Sequence, residues 1–272
     1  MRHFFGLRAL PTLMRVGFAE AIAYRAEMLV WVLATTMPLV MLLLWTAVAE
    51  AAPVPSASGR TWSSGGFVAY FLVVFVVRQL VSSWASWEIN FEVRQGLLSM
   101  RLLRPIHPII SFATQNLAYM PFRFVVSLPI VGVLLLSSGA AHLTTDPAVL
   151  GVTCVAMLGA WLISFFANIS IGALSLYMES SVKIMDVWLA AFFVFSGYLF
   201  PIDLFPPWLK AASDWLPFRF MVGLPVELLT KGHALDEVLP LLARQWGWAV
   251  GFIALAVLLW RWGIRRYQAF GG

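Results

Sequence analysis

Hydrophobic positions in this chain fall in long unbroken runs. They show neither the alternation of a half-buried strand nor the narrow stripe of a surface helix. Met28–Val48 is twenty-one residues without a charge, and Ala148–Ile169 is also uncharged. Four further runs, Phe67–Trp87, Tyr119–Leu136, Val182–Phe200 and Trp246–Trp262, carry no more than two charged residues each. A helix needs about 20 predominantly apolar residues to cross the hydrocarbon core of a bilayer. The pattern therefore predicts an all-α polytopic membrane protein, one transmembrane domain over residues 1–272 with six transmembrane helices. Trp31, Trp45, Trp84, Trp87, Trp246, Trp260 and Trp262 lie toward the ends of the runs, where amphipathic rings favour the membrane interface.

Residues 1–27 read differently. Leu7, Leu10, Met14, Phe18 and Ala21 share one side of a 3.6-residue period, with Arg8 and Arg15 beside that stripe. The spacing predicts an amphipathic helix lying in the membrane surface and interrupted near Pro11. No apolar core of about 7–15 residues precedes a small-residue cleavage site, so a cleaved signal peptide is not expected.

Composition sharpens the class. Of 272 residues, 61% are hydrophobic and 11% charged, against roughly 45–50% and about 25% in soluble domains. So few charges cannot cover a soluble globule of this size, and disorder needs the opposite balance. The formal charge of +5 points in a soluble chain to nucleic acid; here its placement points to the membrane. Arg2, Arg8, Arg15, Arg25, Arg94, Arg101, Arg104, Lys183, Arg265 and Arg266 fall on one side of the runs. Arg60, Lys210, Arg219, Lys231 and Arg244 fall on the other. The richer side is expected to be cytoplasmic, with both termini inside. Nucleic acid is not an expected partner, whereas membrane lipid is. The single cysteine, Cys154, lies in an apolar run and reads as a packing residue, with no disulfide or thiolate metal site available.

Two connections are longer than antiparallel helices require: the cytoplasmic loop 88–118 and the external loop 201–245. A third, Ala51–Gly66, is rich in Pro, Ser and Gly and is expected to be mobile. Within the cytoplasmic loop, residues 97–104 have helical spacing between Gly96 and Pro105. Leu98, Leu102 and Met100/Leu103 are expected on one side, with Arg101 and Arg104 on another. Such a helix either docks a cytoplasmic partner or rests on anionic lipid.

The string Glu92-x-Arg94-x-Gly96-x-Leu98-x-x-x-Leu102-Leu103-Arg104-Pro105 resembles the first cytoplasmic loop of ABC-2 type permeases, the membrane subunits of bacterial ABC exporters. The likeness extends over nearly the whole chain. A basic segment precedes the first run, and after the fifth come Phe195-Ser-Gly197-Tyr-Leu-Phe-Pro201, Pro206-Pro207-Trp208 and Pro217. The chain is most similar to a subgroup of permeases described as viologen-exporter-like. The resemblance implies that Glu92, Arg94, Gly96, Leu98, Arg101, Leu102, Leu103, Arg104 and Pro105 form a coupling helix seated in an ATPase subunit. It implies an elbow helix in residues 1–27. It also implies short external re-entrant helices in which Gly197, Pro201, Pro206, Pro207 and Pro217 gate the exit. Two copies of an ABC ATPase and a second permease subunit, identical or related, would complete the complex in the bacterial cytoplasmic (inner) membrane. No cofactor is expected in this chain; ATP and Mg would be bound by the ATPase. The extra basic residues Lys210 and Arg219 depart from the family pattern.

The remaining candidates fit around this reading. A P-loop ends in Gly-Lys-Ser/Thr, but none of Lys183, Lys210 and Lys231 follows a glycine, so the chain is not expected to hydrolyse ATP. Arg78 lies deep in the second run, where an Arg costs roughly 2.5–3.5 kcal/mol on insertion. It is expected to line the path or a subunit interface, or else to pair with Glu179 or Asp186 or snorkel inward. Arg123 is nearer the cytoplasmic edge and is expected to snorkel. Asp203 and Asp214 form either a carboxylate pair or two solvated acids. The aromatic run Trp188–Phe200 either contacts a lipidic or aromatic substrate or packs helices. His3, His107, His142 and His233 are scattered, and no nucleophile elbow is present.

Two other classes compete with a permease subunit. A self-contained secondary transporter or channel calls for mid-membrane ionisable pairs or broken helices in repeated halves, and no half-to-half repeat is visible. An intramembrane enzyme acting on lipid calls for an acid–base set within the runs, two of which are uncharged. The residues do not choose among drug-like cations, peptides, lipids and glycans as cargo.

Overall fold

The protein is described here by a computed structural model covering residues 10–23, 30, 35–56, 59, 61–178, 181–230 and 235–267. The chain is mostly helical. In order come α1 (Leu10–Ala23), α2 (Met37–Ala51), a two-residue ladder of β1 (Val54–Pro55) and β2 (Thr61–Trp62), α3 (Ser64–Val81), α4 (Ala85–Arg94) and α5 (Leu98–Leu102). Then follow α6 (Pro108–Ala118), α7 (Met120–Leu136), α8 (Pro147–Ala173), α9 (Val182–Phe195), α10 (Pro207–Ser213), α11 (Gly223–Leu229) and α12 (Leu235–Ile264), with 3₁₀ turns between several of them.

Four helical stretches are long and apolar enough to cross a membrane: Ser64–Arg94, Pro108–Leu136, Pro147–Leu176 and Glu237–Ile264. The first and fifth hydrophobic runs give shorter helices. α2 has 15 residues and begins after Thr36, with Pro38 in its first turn; residues 28, 29 and 31–34 lie outside the described part. α9 has 14 residues, about 21 Å at 1.5 Å per residue. It stops because Gly197, two residues beyond its end, takes φ +81°, a left-handed conformation that terminates helices.

Local chemistry fixes the other ends. The Ser63 hydroxyl accepts from the Gly66 N–H at 3.1 Å to start α3. The Asp146 carboxylate accepts from the Ala148 N–H at 2.8 Å, with Pro147 next to it, to start α8. His107 Nδ1 accepts from Ile109 N–H at 3.3 Å, ahead of Pro108, to start α6. These are the side-chain caps and first-turn prolines that satisfy orphan amides.

The centre of the bundle is α3. Its Phe67, Tyr70, Phe71, Val74, Val77 and Val81 are at most 1% exposed, and α2, α7, α8 and α11 pack around it. A helix apolar on every side belongs inside a bundle. A second cluster lies along the same line of helix. Ala85, Ile89, Leu98, Phe112, Trp161, Phe165 and Trp260 pack α4, α5 and α6 against α8 and α12. The first cluster supports the end of the bundle that holds Ser63, and the second supports the end that holds Arg94.

Three expectations change. The Ala51–Gly66 connection is not simply a mobile loop: Val54 pairs with Trp62 and Pro55 with Thr61, and the Trp62 ring stacks 5.0 Å from Phe67. In residues 1–27, Pro11 does not interrupt the described helix but lies in its first turn. The expected continuous run Phe67–Trp87 is broken at residues 82–84, between α3 and α4.

Candidate functional site

The end of the bundle beyond Arg94 is a tight helical tip. Gly96 adopts φ +71°, which ends α4 and turns the chain directly into α5. The Ser99 hydroxyl donates to the Gly96 carbonyl at 2.6 Å and closes the turn. Leu98 is fully buried and anchors α5 in the second apolar cluster, while Leu102 is half-buried beside it. The Arg101 side chain fixes the orientation of the tip. Its Nε donates to both Glu92 oxygens at 3.0 and 2.9 Å, and one terminal nitrogen reaches Glu88 at 2.9 Å as well as Glu92. The other terminal nitrogen donates to the Ser111 hydroxyl at 3.0 Å, and the guanidinium lies 4.0 Å from the Phe112 ring centroid. Arg101 therefore does not share an outward face with Arg104, as the spacing suggested. It is turned inward and ties α5 to α4 and α6.

The outward face of the tip is apolar with a cationic edge. Leu97, Met100 and Leu103 are 47%, 64% and 80% exposed, and Arg94, Arg104 and Pro105 are exposed around them. Spacing of three residues sets these side chains along one ridge of the helical turn. Leu103 thus parts from Leu98, with which the spacing had grouped it.

The described part of the N-terminal segment, α1, packs on α6 through Gly17, where an added Cβ would lie 2.7 Å from the Ala118 Cβ. Leu10, Leu13, Gly17 and Glu20 form the inward side. Met14 and Phe18, part of the apolar stripe legible in the sequence, are 38% and 45% exposed on the other side.

Arg78 and Arg123 lie between the two ends. Arg78 stands over the Phe192 ring, 4.8 Å from its centroid. A contact of this kind returns about 0.5–2 kcal/mol, less than the cost of placing an Arg at that depth. Asp186, one of its expected partners, is exposed and makes no ion pair with it, and Glu179 lies outside the described residues. Arg123 does not snorkel to the edge: it is 5% exposed and donates to the Ser82 carbonyl at 2.7 Å and the Ser82 hydroxyl at 3.0 Å. Ser82 sits at the break between α3 and α4, where its carbonyl has left the helical ladder. In lipid such a group must be satisfied from within the protein, and Arg123 does so. Sequence reasoning missed this role; the Ser82-Ser83 pair inside an apolar run, facing a second in-span Arg, was its signal.

The opposite end of the bundle holds the Gly- and Pro-bearing stretch. The Tyr70 hydroxyl donates to the Gly197 carbonyl at 2.8 Å, and Trp45 Nε1 donates to the Leu199 carbonyl at 3.2 Å. Pro201 precedes the turn Ile202–Leu204, Pro206 and Pro207 open α10, and Pro217 precedes the turn Arg219–Met221. Lys210 and Arg219, unexplained by sequence, have structural partners. Lys210 pairs with Asp203 at 3.6 Å. Arg219, 2% exposed, pairs with Asp214 and with Glu227 at 2.8 Å. Asp203 and Asp214 are thus partners of separate cations rather than one carboxylate pair. Gln245 of α12 was missed altogether. It is fully buried and donates to the carbonyls of Ala156 at 2.8 Å and Phe220 at 2.9 Å, which ties this stretch to α8.

A family model described as ABC-2 family transporter protein matches residues 35–271. That range holds the tip, both in-span arginines and the Gly- and Pro-bearing stretch. No curated protein matches the chain. The chain belongs to the ABC-2 transporter family, and so is a multi-pass membrane protein and a permease component of an ABC transporter rather than its catalytic subunit, in a family that works with an ABC ATPase.

Proposed function

We propose that the chain is half of the translocation pathway of an ATP-driven exporter, coupled to its ATPase through the α4–α5 tip. The observation that carries this reading is the tip itself. Leu97, Met100 and Leu103 project beside Arg104 from a five-residue helix, and Arg101 holds that helix rigidly from behind. Exposed apolar side chains on a rigid mount suit insertion into a groove of a second protein. The tip then passes motion to α4 and, through the Ser82 break, to α3. Glu92, Gly96, Leu98, Arg101 and Leu102 shape and orient the tip, while Arg94, Leu103, Arg104 and Pro105 meet the ATPase.

In this reading α2 and α9, with the residues beside them, complete six spans with both termini in the cytoplasm. α1 is the elbow helix, with Met14 and Phe18 toward lipid. The stretch from Gly197 through Pro201, Pro206, Pro207 and Pro217 caps the external exit. Arg78 faces the path. Two ATPase copies hold ATP and Mg, and a second permease of the viologen-exporter-like kind completes the pathway in a bacterial inner membrane. The test is affinity purification of the tagged chain, together with a Leu103→Cys variant for cross-linking. Co-purification of an ABC ATPase that cross-links at position 103 is expected. Recovery of the chain alone, transporting in proteoliposomes under an ion gradient without ATP, would overturn the reading in favour of a secondary transporter.

A further inference from the structure

Among the described residues Arg78 has no acidic partner. It lies about 21 Å along α3 from Ser64, near the middle of the stretch Ser64–Arg94. Among the described residues the ion pairs join Arg101 to Glu88 and Glu92, Lys210 to Asp203, and Arg219 to Asp214 and Glu227. None reaches Arg78. Arg123, the other arginine between the two ends, makes its hydrogen bonds with Ser82. Among the described residues neither arginine has an acidic partner, and a cation so placed attracts anions and repels cations.

The surroundings are aromatic. The guanidinium rests on Phe192, whose ring lies 5.6 Å from that of Tyr198, and Tyr198 lies 5.4 Å from Phe193. Phe193 is 38% exposed, and Arg78 is half-buried. A guanidinium offers paired donors to a carboxylate or phosphate, and the rings offer contact to an apolar body.

We propose that Arg78, over the Phe192–Tyr198 aromatic floor, binds the carboxylate or phosphate group of an anionic amphiphile, an inference that rests on the permease reading above. The guanidinium supplies charge and orientation, and the aromatic side chains hold the apolar part. Selection at this point favours anionic over neutral and cationic cargo of the same length.

The test uses the complete transporter in phosphatidylcholine nanodiscs and four probes: dodecanoate, dodecyl phosphate, dodecanol and dodecyltrimethylammonium. The two anions are expected to bind about tenfold more tightly than the other two. Arg78→Gln abolishes the difference and Arg78→Lys keeps part of it. Equal binding of all four probes to the wild-type complex, binding of none, or an undiminished preference in an assembled Arg78→Gln complex each overturns the site. Repeating the titration with phosphatidylglycerol in the disc identifies the source. Competition with dodecyl phosphate assigns the site to lipid phosphate, and no competition assigns it to a solute; both retain the anionic chemistry. ATPase co-purifying in the same preparation reports on the permease reading separately. A complex that carries its ATPase yet shows no charge preference overturns this inference alone.

Discussion

Arg123 donates to the carbonyl oxygen of Ser82 at 2.7 Å, and this one contact closes the gap between two halves of a broken helix. α3 and α4 are separated by residues 82–84, and the Asn116 side-chain amide adds a longer donation to the same carbonyl at 3.5 Å. Removing the guanidinium leaves this buried carbonyl with only the long Asn116 donation, at a cost of about 1–3 kcal/mol. Arg123→Met is expected to lower the melting temperature of the purified chain in detergent, and Arg123→Lys to recover part of the loss. A melting curve for Arg123→Met that overlies wild type would show that the break is held by something else.

The tip separates a positioning residue from docking residues. Arg101→Ala strands Glu92, whose side chain is 13% exposed, and is expected to destabilise by about 2–4 kcal/mol, with reduced ATPase coupling as a consequence. Leu103→Ala and Arg104→Ala alter exposed side chains and are expected to shift stability by no more than about 0.5 kcal/mol, and Arg94→Ala is compared with them. They nevertheless lower substrate-stimulated ATPase activity in the reconstituted complex. Thermal melting and ATPase assays on the same four preparations decide this. Unchanged coupling in both Arg94→Ala and Arg104→Ala would sink the role given to the tip.

Gly197 is replaceable only with strain. Its φ of +81° disfavours any L side chain, and a Cβ there would meet the Tyr70 hydroxyl at 2.6 Å. Gly197→Ala is expected to cost roughly 1–3 kcal/mol. Tyr70→Phe removes the clashing oxygen but also the donor to the Gly197 carbonyl. Adding Tyr70→Phe to Gly197→Ala should therefore cost less than the sum of the two single changes. A double-mutant cycle on melting temperatures measures the coupling, and strict additivity would show that the two residues do not meet.

The helical, membrane-spanning character of the chain was legible because long apolar runs encode burial directly. The breakers around the tip were legible because Gly96 and Pro105 act locally. What stayed hidden was the direction of individual side chains. Arg101 and Arg104 look alike at a spacing of three, yet the short α5 points one into Glu92 and Phe112 and leaves the other outside. Arg123 looked like an edge residue because its partner, Ser82, is forty-one positions away in sequence. Lys210 and Arg219 looked supernumerary although their acids are five to eight positions away, because only the fold of the long connection turns them together. Polar contacts between distant elements depend on the packing of the helices, which hydropathy does not describe.

Arg219 gives a sharp test of how the outer connection is held together. It is 2% exposed between Asp214 and Glu227, and its removal leaves two carboxylates without their cation. Arg219→Met alone is expected to destabilise by about 3–5 kcal/mol, the usual cost of breaking a buried pair from one side. Neutralising the acids as well, in Arg219→Met/Asp214→Asn/Glu227→Gln, removes the stranded charges and should restore most of the loss. If Arg219 acts only as a structural tie, the triple variant also regains ATP-driven transport. A triple variant that is as stable as wild type but does not transport would show instead that the charge of Arg219 itself serves the outer passage.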